Sequence, residues 1–459
     1  MAPAAAPIDD SMPARISPDC PQDVRDVLYH AWAHDVSGLK KLLDVRGKAS
    51  AQDPTTGETP LHAAIRACGP AETTAATEPH DADDDAAEDG CVEEARETLQ
   101  ELFFSGAIWN DVDANNETPG CVARRLGRKA LYDMCVDAGV RAELLFSLMG
   151  DYEELSSGSD AGEDDTAEAN GNENGDETAA PDAQAEAEDV DMADGDGEDD
   201  RKFVPPDANE KTVTSDEYLK SDLTYDADKL LDADLNGVMM AWETDIMRRS
   251  VEALIPGAEQ GKRILNIGFG MGIIDGMFSA LKPSRHHIIE AHPGVLAHIA
   301  AEQPGSGSGS SKFGAAWEAS GPEDGAYKVH AGRWQEVVPK LLGQGEVYDA
   351  IYFDTFGEDY AQLKLFFTEY VTGLMDQEGR FSFFNGLGAD RRICYDVYTK
   401  VVEMHCADAG MDVEWEESDV DMTALKEEGK GDWEGVRRRR LPTYVDEETS
   451  DSPQLLYYS

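Results

Sequence analysis

Residues 263–272 read R-I-L-N-I-G-F-G-M-G, and the rest of the chain is organised around them. Residues 263–267 are a short run of aliphatic and β-branched side chains, the pattern of a buried strand. Gly268, Gly270 and Gly272 follow at alternate positions. Glycines so spaced let the backbone turn sharply and approach a ligand that a Cβ would repel. Residues 273–281 then read as a helix. Strand, glycine turn and helix together form the front edge of a nucleotide pocket in an open α/β sheet. The next apolar run, 286–289, ends in Glu290, 20 residues beyond Gly270. An acid there can accept both hydroxyls of a ribose.

Further strand-like runs lie at 326–330, 347–354, 379–385, 411–415 and 441–445, mostly separated by helical or loop segments. This alternation predicts a mostly parallel sheet with helices on both faces. Ahead of the glycine turn, residues 236–254 suggest a helix with Met240, Glu243 and Met247 on one face. Asp354 ends the fourth strand in I-Y-F-D-T-F, at the crevice rather than in the core. Arg333 and Trp334 follow the third strand, where an indole could pack on an adenine or be ordinary core. Asn385 ends the fifth strand, facing the cleft or simply turning the chain before Gly386. Residues 304–311 are a Gly/Ser loop.

The N-terminal half differs. Residues 1–20 are small and Pro-rich, the composition of a disordered segment. Residues 57–65, G-E-T-P-L-H-A-A-I, carry the T-P-L-H-x-A signature of an ankyrin repeat. Thr59 would cap a helix that begins at Pro60. A weaker copy occupies 116–127, its Thr118 lying 59 residues after Thr59, against a usual period of about 33. An acidic, Ala-rich insertion at 71–90 accounts for the excess. Helices are expected at 92–104 and 130–149, giving a degenerate ankyrin domain over 21–150. Residues 151–200 contain neither Lys nor Arg, so 151–210 reads as a solvated acidic linker. The catalytic-type domain is 211–459.

The chain of 459 residues has a formal net charge of −55 and a pI near 4.3. Nucleic-acid phosphates would be repelled, and a basic partner is the natural complement. No apolar run reaches the roughly 18 residues a membrane span needs. The seven cysteines include no C-x-x-C pair, which suits reduced thiols. No His/Cys set has ligand spacing, so no metal is expected.

Five ordered motifs carry a resemblance. They are V-M-M-A-W-E-T-D-I-M at 238–247, R-I-L-N-I-G-F-G-M-G-I at 263–273, I-I-E-A-H at 288–292, G-R-W-Q-E-V at 332–337 and I-Y-F-D-T-F at 351–356. Over about 215–459 they resemble guanidinoacetate N-methyltransferase. With the ankyrin-like half, the whole chain resembles the fungal arginine N-methyltransferase 2 family, which methylates the internal δ nitrogen of arginine. The resemblance implies a class I S-adenosylmethionine-dependent methyltransferase fold, Rossmann-like, behind a small helical domain. It implies that Gly268, Phe269, Gly270, Met271, Gly272 and Ile273 wrap the methionyl part of S-adenosylmethionine. Glu290, Ala291 and His292 would hold the ribose, Arg333 and Trp334 would border the adenine, and Tyr218 and Met247 would close over the cofactor. Glu243 and Asp354 would grip the guanidino group, with Asp354 also at the cofactor. Two departures stand out: Asn266 replaces an acid usual in such glycine motifs, and Ala291-His292 replaces a Cys-Asn pair.

The implied substrate is a basic protein, with a large-subunit ribosomal protein suggested by the family. A monomer in cytoplasm and nucleus is the accompanying expectation. Two rivals remain at this level: a methyltransferase of a small guanidino compound, and a non-catalytic adaptor with a methyltransferase-like fold. A dinucleotide oxidoreductase is disfavoured, because G-x-G-x-G breaks the G-x-G-x-x-G spacing.

Overall fold

The computed structural model describes residues 8–71, 90–157, 214–226, 228–301, 313–383, 392–417 and 454–458. Its N-terminal half is helical: α1 (Met12–Arg15), α2 (Gln22–Trp32), α3 (Val36–Leu42), α4 (Pro60–Ala67), α5 (Gly90–Phe104), α6 (Pro119–Arg125) and α7 (Lys129–Ser157). Thr59 and Thr118 cap α4 and α6 as their sequences demand, accepting the N–H of His62 and Cys121. Each cap contributes roughly 1 kcal/mol. The two T-P turns sit behind equivalent acidic loops. Asp53 and Asp113 donate their N–H to the carbonyls of Glu58 and Glu117 at 3.0 and 2.9 Å. Arg66, buried at the centre, joins the loops by pairing with Glu58, Asp113 and Glu117.

Residues 8–20 depart from the disorder expected of 1–20. Ile16 and Cys20 enter the helical core, and Asp10 binds both Arg66 and Arg125 at 2.6–2.9 Å. A Pro-rich composition hid this, because the anchoring partners lie far along the chain.

The second half begins with α8 (Ser215–Tyr218) and a small antiparallel sheet, β1 (Thr224–Tyr225), β2 (Lys229–Leu231) and β3 (Gly237–Met240). Here the expected helix over 236–254 is corrected. Residues 237–240 are a strand paired with β2, residues 241–243 are one 3-10 turn, and the helix α9 spans only Thr244–Leu254. A run of methionines fits either period, and pairing with Lys229–Leu231 decides for the strand. Met240, Glu243 and Met247 therefore do not share a helix face.

The main elements follow in order: β4 (Arg263–Ile267), α10 (Ile273–Ala280), β5 (Arg285–Glu290), α11 (Pro293–Ala300), α12 (Ala315–Glu318), β6 (Tyr327–Ala331), α13 (Trp334–Gln344), β7 (Tyr348–Phe353), α14 (Tyr360–Leu365), α15 (Thr372–Leu374), β8 (Met375–Phe383), α16 (Arg392–Asp408), β9 (Val413–Glu417) and β10 (Gln454–Tyr458). Among the described residues they form a seven-stranded sheet in the order β6-β5-β4-β7-β8-β10-β9. The first five strands in that order run parallel, and β10 is antiparallel to both its neighbours. Alternate residues of each central strand feed opposite cores. Leu265, Ile267, Ile351 and Phe353 pack one way with Phe366 and Phe381; Ile264, Ala350 and Tyr352 pack the other way with Ile274 and Phe278. The order reverses between β4 and β7, and such a switch point opens a crevice at the strands' carboxyl ends.

The two halves are separate in sequence but not in packing. Ile393, Cys394, Val397 and Val401 of α16 belong to the core of the helical half. Gly120 and Gly139 permit this contact. A Cβ on Gly120 would lie 1.9 Å from Ile393 Cδ1, and one on Gly139 would lie 2.6 Å from Val397 Cγ2.

Candidate active site

The glycine turn that follows β4 is held between β5 and β7. Gly268 donates its N–H to the Ile289 carbonyl at 2.9 Å, and Asp354 donates its N–H to the Ile267 carbonyl at 2.8 Å. Gly268 has a φ of +94°, and a Cβ there would lie 1.8 Å from the Asp354 carbonyl oxygen. Only glycine satisfies both conditions. Behind the turn, Asn266 Nδ2 donates to the Gly268 carbonyl at 2.9 Å and to Asp275 at 2.7 Å, while His286 Nε2 faces Asp275 at 2.9 Å. The acid of this region is instead Asp275, buried behind the turn. A second carboxylate at 266 would repel it, whereas an amide supplies the two donors needed.

The turn opens on a cavity of about 400 Å³. Its walls include Tyr218, Glu243, Gly268, Gly270, Glu290, Ala291, Arg333, Trp334 and Asp354, brought together from six separate stretches of chain. Glu290 is buried at the tip of β5 and accepts the N–H of Phe269 at 2.9 Å and of His292 at 2.6 Å. Burial raises its carboxyl above the usual range, and those backbone donors oppose the rise. Tyr218 packs its ring on His292 and Phe356, at centroid distances of 4.7 and 5.0 Å. Arg333 is ion-paired with Asp216, which ties the β6–α13 turn to α8.

Several motif residues stand behind the cavity wall, not on it. Phe269 is buried against Phe313, Met271 donates its N–H to Met239 Sδ, Gly272 is the left-handed N-cap of α10, and Ile273 begins that helix. His292 caps α11 and bonds the Tyr218 carbonyl at 3.0 Å. Met247 lies in the core between α9 and the sheet. Trp334 borders the cavity, yet it is 2% exposed and its ring packs on Phe353, Phe366 and Tyr370, with Nε1 donating to Glu358 at 2.8 Å. Trp334 apart, these side chains stand behind the lining and support it. Asn385 lies outside the described residues.

Gly237, Val238 and Met239 of β3 also line the cavity, and a helical reading of this stretch does not point to them. Nor does the sequence reading point to the 355–360 loop, where Phe356, Glu358 and Asp359 border the space. The acid and aromatic residues following D-T-F were the available signal.

Glu243 and Asp354 face this same cavity. Glu243 Oε2 accepts the Met240 N–H at 2.9 Å, which orients the carboxyl. Burial, reinforced by repulsion from Asp354, pushes Glu243 up to about 8 against that hydrogen bond. Burial alone pushes Asp354 up to about 6. Two such acids on one wall resist ionising together, and a cation beside them would favour the charged form of both.

The strand order, the antiparallel strand β10 and the glycine turn at the switch point define a class I S-adenosylmethionine-dependent methyltransferase fold. The sequence model of the guanidinoacetate N-methyltransferase family matches residues 211–307. Protein arginine N-methyltransferase 2 of Gibberella zeae is 66% identical over 439 residues, covering 96% of this chain and 94% of that protein. The Neurospora crassa protein of the same name is 56% identical over 440 residues, with 95% and 97% covered, and that of Emericella nidulans is 45% identical, with 92% and 94% covered. The chain belongs to the protein arginine N-methyltransferase 2 family.

S-adenosylmethionine is the cofactor, and the site fits it on its own geometry. The backbone of Gly268 and Gly270 is bare on the cavity wall, and the Glu290 carboxylate lies on the same wall beside it.

Proposed function

We propose that the protein methylates the δ nitrogen of an arginine in a basic protein substrate. The observation that carries this reading is the pair Glu243 and Asp354, two acids of raised pKa on one cavity beside the glycine cradle. A guanidinium has a pKa of roughly 13.8 and offers no free nitrogen lone pair. Two carboxylates accept its N–H groups in charge-assisted hydrogen bonds and fix one nitrogen in place. When bound, S-adenosylmethionine supplies a methyl group on a sulfonium, already activated for displacement. Positioning then supplies much of the rate. Methyl transfer would leave the sulfur as a neutral thioether, and the nitrogen must lose a proton, which one of the two carboxylates accepts. Glu290 and the Gly268–Gly270 backbone would hold the cofactor, with Tyr218 and Arg333 at the rim.

The choice of the δ nitrogen follows the family resemblance. A basic substrate is supported by the net charge of −55, and a large-subunit ribosomal protein is the candidate the family suggests. The helical half, read as a degenerate ankyrin unit, would dock that substrate, in a monomer working in cytoplasm and nucleus. The deciding experiment treats a ribosomal protein fraction with the purified enzyme and labelled cofactor, then hydrolyses it for amino-acid mass spectrometry. δ-N-methylarginine is the expected product. Label confined to terminal guanidino nitrogens, or transferred only to free guanidinoacetate, overturns the reading.

A further inference from the structure

His34, Cys68 and Cys91 each bring one donor atom to within 4.8 Å of the others. They come from three elements: the α2–α3 turn, the C-cap of α4 and the first turn of α5. Spacing along the chain gave no sign of a metal site, because these residues are far apart until the helices pack. The cysteine sulfurs stand 3.0 Å apart. His34 is held with a left-handed backbone, φ +50°, and its side chain is only 5% exposed.

The histidine is oriented as a ligand. Its Nε2 lies 2.8 Å from the Ala64 carbonyl oxygen. A carbonyl only accepts, so Nε2 carries the proton and Nδ1 keeps its lone pair. Metal-bound histidines are typically fixed this way, by a carbonyl on the far nitrogen. Nδ1 lies 3.9 Å from Glu94 Oε2. Glu94 is three residues beyond Cys91 on α5, hence on the same helix face.

We propose that His34, Cys68 and Cys91 bind one zinc ion, with a water or the Glu94 carboxylate taking the fourth place. Two sulfurs, one imidazole nitrogen and one oxygen make a tetrahedral set suited to zinc. With Zn–S bonds of about 2.3 Å the sulfurs must stand about 3.8 Å apart, a shift of less than 1 Å that side-chain rotation supplies. Both thiols release their protons to solvent on binding. The ion pins residues 68 and 91, which flank the acidic insertion, to the helical core.

The test uses the full chain, purified reduced and without chelator. Elemental analysis should find about one zinc per chain. Cobalt titrated into the metal-stripped protein should give thiolate-to-cobalt bands in the near ultraviolet and the strong visible bands of a tetrahedral site. Cys68→Ser, Cys91→Ser and His34→Gln should each abolish those bands, while Cys121→Ser, elsewhere in the helical core, should keep them. Absent bands in the reduced wild-type protein overturn the site, and that measurement needs no variant to fold. Bands retained by the Cys68→Ser/Cys91→Ser double variant overturn it too. So does isolation of a metal-free chain lacking two hydrogens, with residues 68 and 91 joined as a disulfide.

Discussion

The carbonyl oxygen of Asp354 fills the space into which a side chain on Gly268 would grow, 1.8 Å from its Cβ position. Backbone meets backbone here, and neither strand end can yield without breaking the bonds that join β4 to β7. At Gly270 the obstacle differs: a Cβ would meet Cε and Sδ of Met239 at 2.5 and 2.8 Å. A methionine side chain can move aside. Gly268→Ala should therefore abolish cofactor binding by calorimetry. Gly270→Ala should only weaken it, and Gly270→Val should prevent it in a folded protein. Equal loss in the two alanine variants would refute the distinction.

Glu243→Gln and Asp354→Asn should each keep cofactor affinity and lose methyl transfer. A missing charge-assisted hydrogen bond costs about 1.5–3 kcal/mol, or roughly ten- to a hundredfold in rate. The double variant should lose less than the product of the singles, because both acids hold one group. Near-normal transfer by the double variant would reject the clamp.

The raised acids set a pH dependence. kcat/KM follows the free enzyme, in which the pair loses its protons in two steps, near about 6 and about 8. A cation is gripped only by ionised carboxylates, so kcat/KM should climb as pH rises through both values. Glu243→Gln should retain the lower step and lose the upper. Stability runs oppositely. An acid whose folded pKa is raised holds a proton that the unfolded chain gives up, so stability falls as pH rises from the unfolded value of 4.5 for Glu243 toward about 8. Denaturant titrations at acidic and alkaline pH should show the Gln variant losing less stability than wild type. Parallel losses would contradict burial as the cause.

The seam between the halves offers another test. Gly139→Ala brings a methyl within 2.6 Å of Val397 Cγ2 and 3.0 Å of Trp109 Cδ2. Overpacking of this kind costs about 1–3 kcal/mol. Chemical denaturation should show that loss, with cofactor affinity at the native state unchanged. An unaltered midpoint would mean that the seam is looser than the contacts imply.

Much of the catalytic half was legible because its signals are local. The strand at 263–267, Glu290 at the tip of the next strand and Asp354 at the tip of the fourth all stand where their runs place them. What escaped depends on distant partners. Residues 238–240 became a strand only because β2 lies beside them. Trp334 serves the core because Phe353, Phe366 and Tyr370 surround it. β10, at Gln454–Tyr458, carries too short a signal to read, and its place between β8 and β9 comes from pairing alone. The expected strand at 441–445 lies outside the described residues.

One helix, α16, belongs to two interiors. Its first turns are packed among the N-terminal helices, while Val402 and Cys406 near its other end are packed beneath the sheet. A helix cannot melt at one end without losing much of what holds the other. Ligand energy gained at the crevice is therefore felt in the distant half, and occupancy by cofactor should slow amide exchange in α7 as well as around the glycine turn. The N-terminal helices are thus thermodynamic kin of the active site, and could not be traded for another helical module without retuning the enzyme.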